Sequence, residues 1–284
     1  MILFKTTPDI HNHLEKLRTG GSSIGFVPTM GALHAGHLSL VDQSKKNTNI
    51  TVCSIFVNPT QFNDPQDFAR YPVTLDQDLL LLEKAGCDIV FLPSVGEVYP
   101  NGTATGEKFD LGYLESILEG KYRPGHFQGV CQVVHRLLEI VRPDTLFLGR
   151  KDYQQCMVIK KLVALSGWNI ALQFVPTLRE PSGLAMSSRN MRLSGEDKEA
   201  ATAIYRSLLY IKQNLRPGVV IPLVETARQQ LINAGFSAID YVTIADAETL
   251  EEIVTWNGKT KTVALVAAFI GGVRLIDNMI VSSE

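Results

Sequence analysis

Short apolar runs without polar alternation recur through the first 176 residues of the chain. They are IGFVP (24–28), TVCSIFV (51–57), DIVFLP (88–93), TLFLG (145–149) and IALQFVP (170–176). Runs of this kind, rich in Val, Ile and Phe, are typical of strands buried on both faces of a parallel sheet. We therefore predict five parallel strands in this part of the chain.

Between these runs, apolar residues recur at helical spacing. Helices are predicted over 37–46, 74–85, 128–141 and 152–165. Strands that alternate with helices predict an α/β fold, here a Rossmann-like doubly wound parallel sheet. In such a sheet the ligands bind at the carboxyl ends of the strands. The residues that follow each strand are therefore where functional side chains are expected.

The pattern changes after residue 176. Two long amphipathic helices, at 195–215 and 222–235, precede strand-like segments at 239–247 and 262–281 that are expected to pair antiparallel. We predict two domains, a Rossmann-like nucleotide-binding domain over 1–176 and a smaller α+β C-terminal domain over 177–284. The segment between them, TLREPSGLAMSSRNMRLS, carries so many specific polar groups that a functional loop is favoured over a plain linker.

Composition narrows the class of protein. A chain of 284 residues, 45% of them hydrophobic, can bury a sizeable core. A net charge of -2 without a Lys/Arg-rich run gives no support for binding to nucleic acid or a membrane surface, so a small-molecule partner is expected. The N-terminus becomes polar too early for a signal peptide, and no apolar run approaches the roughly 18 residues of a membrane span.

Four cysteines, Cys53, Cys87, Cys131 and Cys156, lie far apart without a CxxC pair. Buried free thiols are the simplest interpretation, and they fit a reducing compartment. We therefore expect a soluble cytoplasmic protein.

The segment PTMGALHAGHLSL (28–40) follows the first predicted strand and places His34 and His37 three residues apart. Glycines at 31 and 36 would let the backbone approach a ligand, and free N–H groups at the helix start would favour an anion such as phosphate. Both histidines could donate hydrogen bonds to phosphate oxygens. Two alternatives are a pair of metal ligands, disfavoured because no third ligand follows at helical spacing, and solvated loop histidines.

A second set of polar groups lies in MSSRN (186–190), whose two hydroxyls and guanidinium suit the oxygens of a triphosphate. The alternative is a helix N-cap serine beside a solvent-facing arginine. Lys151, in GRKD, opens a predicted helix, where a cation is unfavourable unless an anion compensates it. A surface lysine is the simpler alternative. Asp152 could cap that helix or accept hydrogen bonds from ribose hydroxyls.

The combination of HxGH after the first strand with a Ser/Lys/Arg-rich loop after the last resembles the nucleotidylyltransferase superfamily, which transfers nucleotidyl groups with release of pyrophosphate. More specifically, five motifs resemble those of the pantothenate synthetase family, in order and at matching spacing across essentially the whole chain. They are PTMGALHAGH (28–37), SIFVNPTQF (54–62), RPGHFQGV (123–130), LGRKDYQQ (148–155) and REPSGLAMSSRN (179–190).

The resemblance implies an ATP-dependent condensation of pantoate with β-alanine to pantothenate, through a pantoyl adenylate, with release of AMP and pyrophosphate. It also implies Mg²⁺ dependence, a homodimer, pantoate binding in the first domain and a lid role for the second. The catalytic donors that it implies are His34, His37, Lys151, Ser187, Ser188 and Arg189. The ATP-binding set is Met30, Gly31, Ala32, Leu33, His34, Ala35, Gly36, His37, Gly149, Arg150, Lys151, Asp152, Leu178, Met186, Ser187, Ser188 and Arg189.

Gln61, Gln155 and Asn58 are implied as substrate-binding residues, because neutral amides can bond hydroxyls and a carboxylate without a buried charge. The magnesium ligands stay unassigned. Asp76 and Asp78, at a predicted helix start, could reach the ion through water or could simply favour the helix dipole.

Several points stay open in the motifs. Arg123 and His126 could face the substrate or only cap a helix. Val73, Arg150 and Ser182 depart from the residues expected at their positions, which affects the details of the loop contacts.

Two other functions compete with this interpretation. One is another adenylate-forming ligase on the same scaffold that acts on a different small acid. The other is a catalytically silent nucleotide-binding regulator, which would not need both histidines, Lys151 and the serine pair together. A tRNA synthetase is disfavoured because the chain is short and lacks a basic face.

Overall fold

The computed structural model describes residues 1–62, 65–103 and 107–282. By its internal contacts the chain divides into two compact units. The first unit comprises Met1–Arg150 with Gln154–Pro176, and the second comprises Lys151–Tyr153 with Thr177–Glu284. The short Lys151–Tyr153 segment therefore belongs to the second unit although it lies inside the sequence of the first.

A six-stranded parallel sheet forms the centre of the first unit. Its strands are β1 (Ile2–Phe4), β2 (Ile24–Thr29), β3 (Ile50–Ile55), β4 (Ile89–Phe91), β5 (Thr145–Gly149) and β6 (Ala171–Val175), in the spatial order β1-β4-β3-β2-β5-β6. Every neighbouring pair is parallel. The predicted doubly wound α/β fold is confirmed, and each of the five apolar runs contains a strand.

The sixth strand, β1, was not predicted. It has only three residues and pairs with β4 at the edge of the sheet, where Ile2 and Leu3 stay exposed. Such a short edge strand has neither a long apolar run nor an alternating pattern to mark it in the sequence.

Helices flank this sheet. They are α1 (Thr7–Thr19), α2 (Ala35–Asn47), α3 (Pro65–Ala69), α4 (Leu75–Lys84), α5 (Val95–Val98), α6 (Leu118–Tyr122), α7 (His126–Val141) and α8 (Tyr153–Leu165). The four predicted helices correspond to α2, α4, α7 and α8. Apolar side chains of the strands and of the facing helices pack together, among them Val27, Val41, Cys53, Leu82 and Phe147. No helix among the described residues has the length and apolarity to cross a membrane.

The strand order fixes where a ligand can bind in the first unit. Connections from β2 run outward through β3 and β4, whereas β5 and β6 lie on the other side of β2. The order therefore reverses between β2 and β5, and in open α/β sheets ligands bind outside the carboxyl ends of the strands at this reversal. The segments after Thr29 and Gly149 both start at this point.

The second unit packs two helices on a small antiparallel sheet. The helices are α9 (Gly195–Asn214) and α10 (Ile221–Asn233), and the sheet has the order β11-β10-β8 with β8 (Ala238–Asp246), β10 (Thr262–Ile270) and β11 (Val273–Ile280). Both pairs are antiparallel, as predicted. Gly271 and Gly272, both at positive φ, form the turn between β10 and β11. Two further strands, β7 (Gly218–Val219) and β9 (Thr255–Trp256), pair separately.

All four cysteines are buried and free, so the prediction of buried free thiols is confirmed. Burial raises the pKa of Cys87 and of Cys131 to about 12, and it raises the pKa of Cys53 well above its ordinary value. A thiol with a raised pKa carries little thiolate at neutral pH, and the thiolate is the reactive form.

The native protein is therefore expected to be inert toward an aromatic disulfide reagent at pH 8. With a pKa of about 12, roughly one Cys87 side chain in ten thousand is ionised at that pH. Unfolding in guanidinium chloride should expose all four thiols to rapid reaction, followed by absorbance of the released chromophore. Rapid reaction of even one thiol in the native protein would contradict the burial described here.

Candidate active site

His34 and His37 shape the start of α2. His34 is the N-cap residue, and its Nδ1 accepts a hydrogen bond from the Gly36 N–H at 3.1 Å. The Nδ1 of His37 accepts in turn from the His34 N–H at 3.3 Å, and the two ring centroids lie 4.1 Å apart. A backbone N–H can donate only to an unprotonated ring nitrogen, so the ring proton of each neutral imidazole is on Nε2. Both histidines therefore present Nε2 as their N–H donor.

The loop between β2 and α2 turns through left-handed backbone at Gly31 (φ 78°) and Ala32 (φ 47°). Its N–H groups donate to protein acceptors: Gly31 N–H to Thr29 Oγ1 at 3.3 Å, Ala32 N–H to Asp78 Oδ2 at 2.9 Å, and Leu33 N–H to Asp78 Oδ1 at 2.7 Å. These three N–H groups are therefore bonded within the protein, and they precede the helix start, because α2 begins at Ala35. At the helix start itself, the Gly36 N–H is bonded to His34 Nδ1.

Asp78 is the acceptor that holds this loop. It lies in the first turn of α4, is 1% exposed, and also accepts from Thr74 Oγ1 at 3.1 Å. Both carboxylate oxygens are engaged, which is what a buried carboxylate requires. Of the two alternatives considered for Asp78, its place in the first turn of α4 agrees with the helix-dipole role. Its carboxylate also fixes the histidine loop, which the sequence did not show.

Within the described residues, no group of three or more His, Cys, Asp or Glu side chains could enclose a metal ion. Asp76, which was considered together with Asp78 as a residue that could reach the ion, is exposed. A site made only of protein ligands for Mg²⁺ is therefore not formed by these residues.

Gln61 lies in the short 3₁₀ helix Pro59–Gln61, which follows β3. Its Nε2 is 2.8 Å from Met30 Sδ, so two of the predicted site residues are in contact. Asn58, 1% exposed, holds this turn: its Nδ2 donates to the Gly129 carbonyl at 3.1 Å, and its Oδ1 accepts from Tyr99 Oη at 2.9 Å. The polar atoms of Asn58 are thus bound by the protein, which suits a residue that supports Gln61.

α7 packs directly beneath this turn. A Cβ on Gly129 would collide with the backbone of Thr60, so only glycine allows the approach. Arg123 Nη1 lies 3.0 Å from His126 Nε2 and donates to it, because a guanidinium has no acceptor. His126 therefore carries its proton on Nδ1 and donates it to the Gln61 carbonyl at 2.8 Å. These contacts give Arg123 and His126 a structural role at the turn that carries Gln61.

β5 ends at Gly149, and Arg150 begins the segment that follows it at the same sheet edge. Arg150 is fixed to β6: its N–H donates to the Val175 carbonyl at 2.8 Å and its Nη2 to the Phe174 carbonyl at 3.3 Å. Gln155 is half-buried in the first turn of α8. The neighbouring Gln154 is buried and holds the segment around α6, accepting from the Glu119 N–H at 2.9 Å.

Lys151 belongs to the second unit. Its side chain is 18% exposed, and Nζ lies 3.7 Å from the Asp152 carboxylate, whose side chain is 45% exposed. Asn278 Nδ2 donates to the Lys151 carbonyl at 2.7 Å, and Tyr153 Oη donates to the Ala247 carbonyl at 2.7 Å. This turn is therefore fixed on both sides of Asp152.

The MSSRN segment leads into a 3₁₀ helix, Ser188–Arg192. Ser187 is its N-cap and accepts from the Arg189 N–H at 3.3 Å, so the capping role considered in the sequence is present. Ser188 is buried, whereas Met186 is half-buried. Asn190 Nδ2 ties the segment to the Ala185 carbonyl at 3.0 Å.

Three other residues singled out in the sequence are exposed. Leu178, one of the residues implied for ATP binding, is one of them. Ser182 and Val73, two of the unusual residues, lie exposed on their turns. Ser182 Oγ accepts a local hydrogen bond from the Leu184 N–H at 3.4 Å.

Each unit thus brings together some of the predicted site residues. The first unit groups Met30 with Gln61, and His34 with His37; the second holds Lys151 with Asp152, and Ser187 with Arg189. The residues that fix these groups, Asp78, Gly129 and Asn278, were not identified from the sequence as such. Their positions in the sequence are far from the loops they hold, and only the fold brings them near.

Comparison with known proteins gives consistent results across the chain. A sequence model of the family described as "Pantoate-beta-alanine ligase" matches residues 2–280. The chain is 44% identical over 284 residues to a pantothenate synthetase of Cytophaga hutchinsonii, covering 99% of each sequence. The crystal structure of pantothenate synthetase from Thermus thermophilus is similar with a TM-score of 0.91 and 39% identity, covering 100% of both chains.

A further similar structure is that of pantoate-beta-alanine ligase from Francisella tularensis, with a TM-score of 0.83 and 38% identity. The match covers 100% of this chain and 99% of that one. That protein was crystallised in complex with beta-gamma ATP and beta-alanine.

Asp78→Asn is expected to lower the free energy of unfolding by about 1–3 kcal/mol. Each carboxylate oxygen of Asp78 accepts a backbone N–H, whereas in asparagine one of these oxygens is replaced by an NH₂ group that cannot accept. Glu83→Gln, an exposed acid on the same helix, is the matched control and should change stability little. Urea denaturation followed by circular dichroism measures both variants. Equal stabilities for the two would show that Asp78 does not hold the loop.

Proposed function

The chain belongs to the pantoate-beta-alanine ligase family and is a ligase that forms pantothenate; from this premise we propose that it works through a pantoyl adenylate, releasing pyrophosphate and then AMP. The observation that carries the proposal is the pair of imidazoles at the start of α2, each held with Nε2 as its donor. Binding of beta-gamma ATP and beta-alanine by the Francisella tularensis relative supports ATP and β-alanine as substrates here.

The chemistry explains why ATP is needed. A carboxylate does not acylate an amine in water because its oxygen is a poor leaving group. In the first step an oxygen of the pantoate carboxylate attacks the α-phosphorus of ATP, and the bond to the β-phosphate oxygen breaks to release pyrophosphate. In the second step the β-alanine nitrogen attacks the acyl carbon, the bond to AMP breaks, and the amine loses a proton.

Charge on the phosphates rises as the α-phosphorus is attacked, so fixed hydrogen-bond donors lower the barrier of the first step. We assign His34 and His37 to this role in the first unit. Their orientation by backbone donors supports the assignment because the Nε2–H groups need no reordering when the charge develops. No residue is assigned as a covalent nucleophile.

In the second unit we assign Lys151, Ser187, Ser188 and Arg189 as further phosphate donors. Lys151 is fixed through its own carbonyl, and the MSSRN segment is fixed through Asn190, which supports the use of both as ordered groups. The backbone around Gly31, Gly36 and Gly149 and the side chains of Met30, Asp152, Leu178 and Met186 complete the ATP contacts that we propose.

We assign Gln61 and Gln155 to pantoate, with Gln61 also near β-alanine, and Asn58 to the support of Gln61. Asn58 bonds the protein through both its amide nitrogen and its amide oxygen, which supports this indirect role. In this proposal the first unit binds pantoate and nucleotide, and the second acts as a lid.

Three further properties are proposed from the family. Mg²⁺ enters as part of the Mg–ATP substrate, since the described residues form no protein-only cage. The enzyme forms a homodimer. Its four free thiols support a reducing compartment, and we place it in the cytoplasm.

Isotope exchange tests the adenylate route. Labelled pyrophosphate should enter ATP when pantoate is present and β-alanine is absent, whereas AMP should accumulate only when both acids are supplied. Exchange that requires β-alanine would refute a separate adenylate step. Exchange supported by another small acid, and not by pantoate, would assign this site to a different acid.

His37→Ala should lower kcat by about 10²–10³-fold, because it removes a fixed donor to the developing charge. The loss of its cap contact should cost only about 1 kcal/mol of stability, so the variant should stay folded. His11→Ala, which changes a helical histidine of α1, is the matched control for kcat and melting temperature. A kcat near that of the unmodified enzyme would remove His37 from the proposed mechanism.

A further inference from the structure

Two consecutive polar residues interrupt the pattern of β11. Along this strand Val273 and Leu275 are buried and the residue after each is less so, but Asp277 and Asn278 are both buried, at 4% and 6% exposure. Adjacent residues of a strand point to opposite faces, so two buried polar side chains in sequence need partners on both sides. The partners of this pair lie on two loops that contain proposed phosphate donors.

Asp277 binds Arg179. Arg179 donates from Nη1 at 2.5 Å and from Nη2 at 3.0 Å to the two carboxylate oxygens, and its Nη2 also reaches the Asn278 carbonyl at 3.3 Å. The guanidinium lies 4.5 Å from the centroid of the Tyr205 ring. Arg179 is therefore fixed by a two-point contact, by a strand carbonyl and by an aromatic face.

Arg179 fixes the turn that precedes the serine pair. Its Nη1 also donates to the Gly183 carbonyl at 3.1 Å, and its backbone pairs antiparallel with Ala185. The Met186 N–H then donates to the Leu178 carbonyl at 3.0 Å, immediately before Ser187. Asp277, through Arg179, therefore sets the direction in which the chain enters the MSSRN segment.

Asn278 fixes the other loop. Its Nδ2 donates to the Lys151 carbonyl at 2.7 Å, and its own N–H donates to Asp277 Oδ1 at 2.8 Å. The Asp277 carboxylate is therefore bonded to the backbone of Asn278 as well as to Arg179. Burial raises the pKa of the Asp277 carboxyl, and the hydrogen bonds from Arg179 oppose that rise.

Stability alone gives a weak reason for this arrangement. A buried ion pair loses much of its Coulomb energy to desolvation, and apolar residues of similar volume often stabilise a fold equally well. An ion pair with fixed hydrogen bonds does hold the attached loop in a defined orientation. This orientation matters at a reaction site, where displacing a catalytic group by about 1 Å can lower the rate about a hundredfold.

We propose that Asp277 and Asn278 are positioning residues for the phosphate donors of the second unit, Asn278 acting through Lys151 and Asp277 acting through Arg179 on the MSSRN segment. The inference rests on the proposed function, because it assumes that Lys151 and this segment bind ATP. Neither Asp277 nor Asn278 is assigned a contact with substrate.

A double-mutant cycle tests the link between Asn278 and Lys151. The value of kcat/KM for ATP is measured for the unmodified enzyme, Asn278→Ala, Lys151→Ala and the double variant. Asn278→Ala should lower it by about 10- to 100-fold. In the Lys151→Ala background, Asn278→Ala should lower kcat/KM for ATP by less than about twofold, because the side chain that Asn278 positions is already absent.

Ser282→Ala is the matched control for loss of a buried hydrogen bond. Ser282 Oγ accepts from the Thr262 N–H at 3.0 Å just beyond β11. This variant should lower the melting temperature and leave kcat/KM within about twofold, since its bond holds no proposed donor.

The outcomes separate this inference from the proposed function. Normal turnover of Lys151→Ala rejects the role of the lysine, and with it the role of Asn278. If Lys151→Ala lowers turnover and Asn278→Ala still lowers kcat/KM by the full amount, about 10- to 100-fold, in that background, the lysine keeps its role and the positioning role of Asn278 is rejected. An unchanged kcat/KM for Asn278→Ala also rejects the positioning role.

Asp277→Asn supplies an independent arm. Asp240→Asn breaks a comparable Arg–Asp contact, with Arg274 Nε at 2.7 Å, on the same sheet. Asp277→Asn should lower kcat/KM for ATP by about tenfold or more and Asp240→Asn by less than about twofold. Equal effects of the two variants would overturn the proposal for Asp277. If Asp277→Asn does not fold, the cycle on Asn278 still decides the proposal.

Discussion

The histidine pair depends on one buried carboxylate. The chain between β2 and α2 has to turn through two left-handed residues, one of them Ala32, which carries a steric cost there that glycine does not. Asp78 offsets this cost by accepting the N–H groups of Ala32 and Leu33. Because His34 follows directly, the position of the first helical turn, and with it the direction of both rings, is set by this acceptor on α4.

The same physical device recurs at other loops in both units. A turn leaves backbone groups without a strand or helix partner, and a side chain from elsewhere in the sequence supplies the missing bond. His126 bonds the Gln61 carbonyl in the first unit, and Asn278 bonds the Lys151 carbonyl in the second. The residues proposed to meet substrate lie on these turns, and a separate set of buried polar residues gives the turns their shape.

This division explains which features could be predicted from the sequence. Buried strands appear in the sequence as apolar runs, HxGH follows the first of these runs, and MSSRN lies in the loop beyond the last one. The fold could therefore be predicted, and the candidate donors could be proposed. β1 was missed because three residues at an exposed edge form no pattern. Asp78 looked like an ordinary acid of a first helical turn, because its partners Ala32 and Leu33 are 46 and 45 residues away and only the fold shows them. The assignments of the donors to ATP and of Gln61 and Gln155 to pantoate stay predictions.

The capping of α2 by two imidazoles also bears on binding thermodynamics. A side chain that becomes ordered only when a ligand arrives adds an entropic penalty to association, on the order of 0.5–1.5 kcal/mol for each immobilised group. Here the rings of His34 and His37 are already bound to backbone N–H groups. Their rotational freedom is lost during folding. If they bind phosphate as proposed, they have little further freedom to lose, and the binding affinity depends mainly on charge and desolvation.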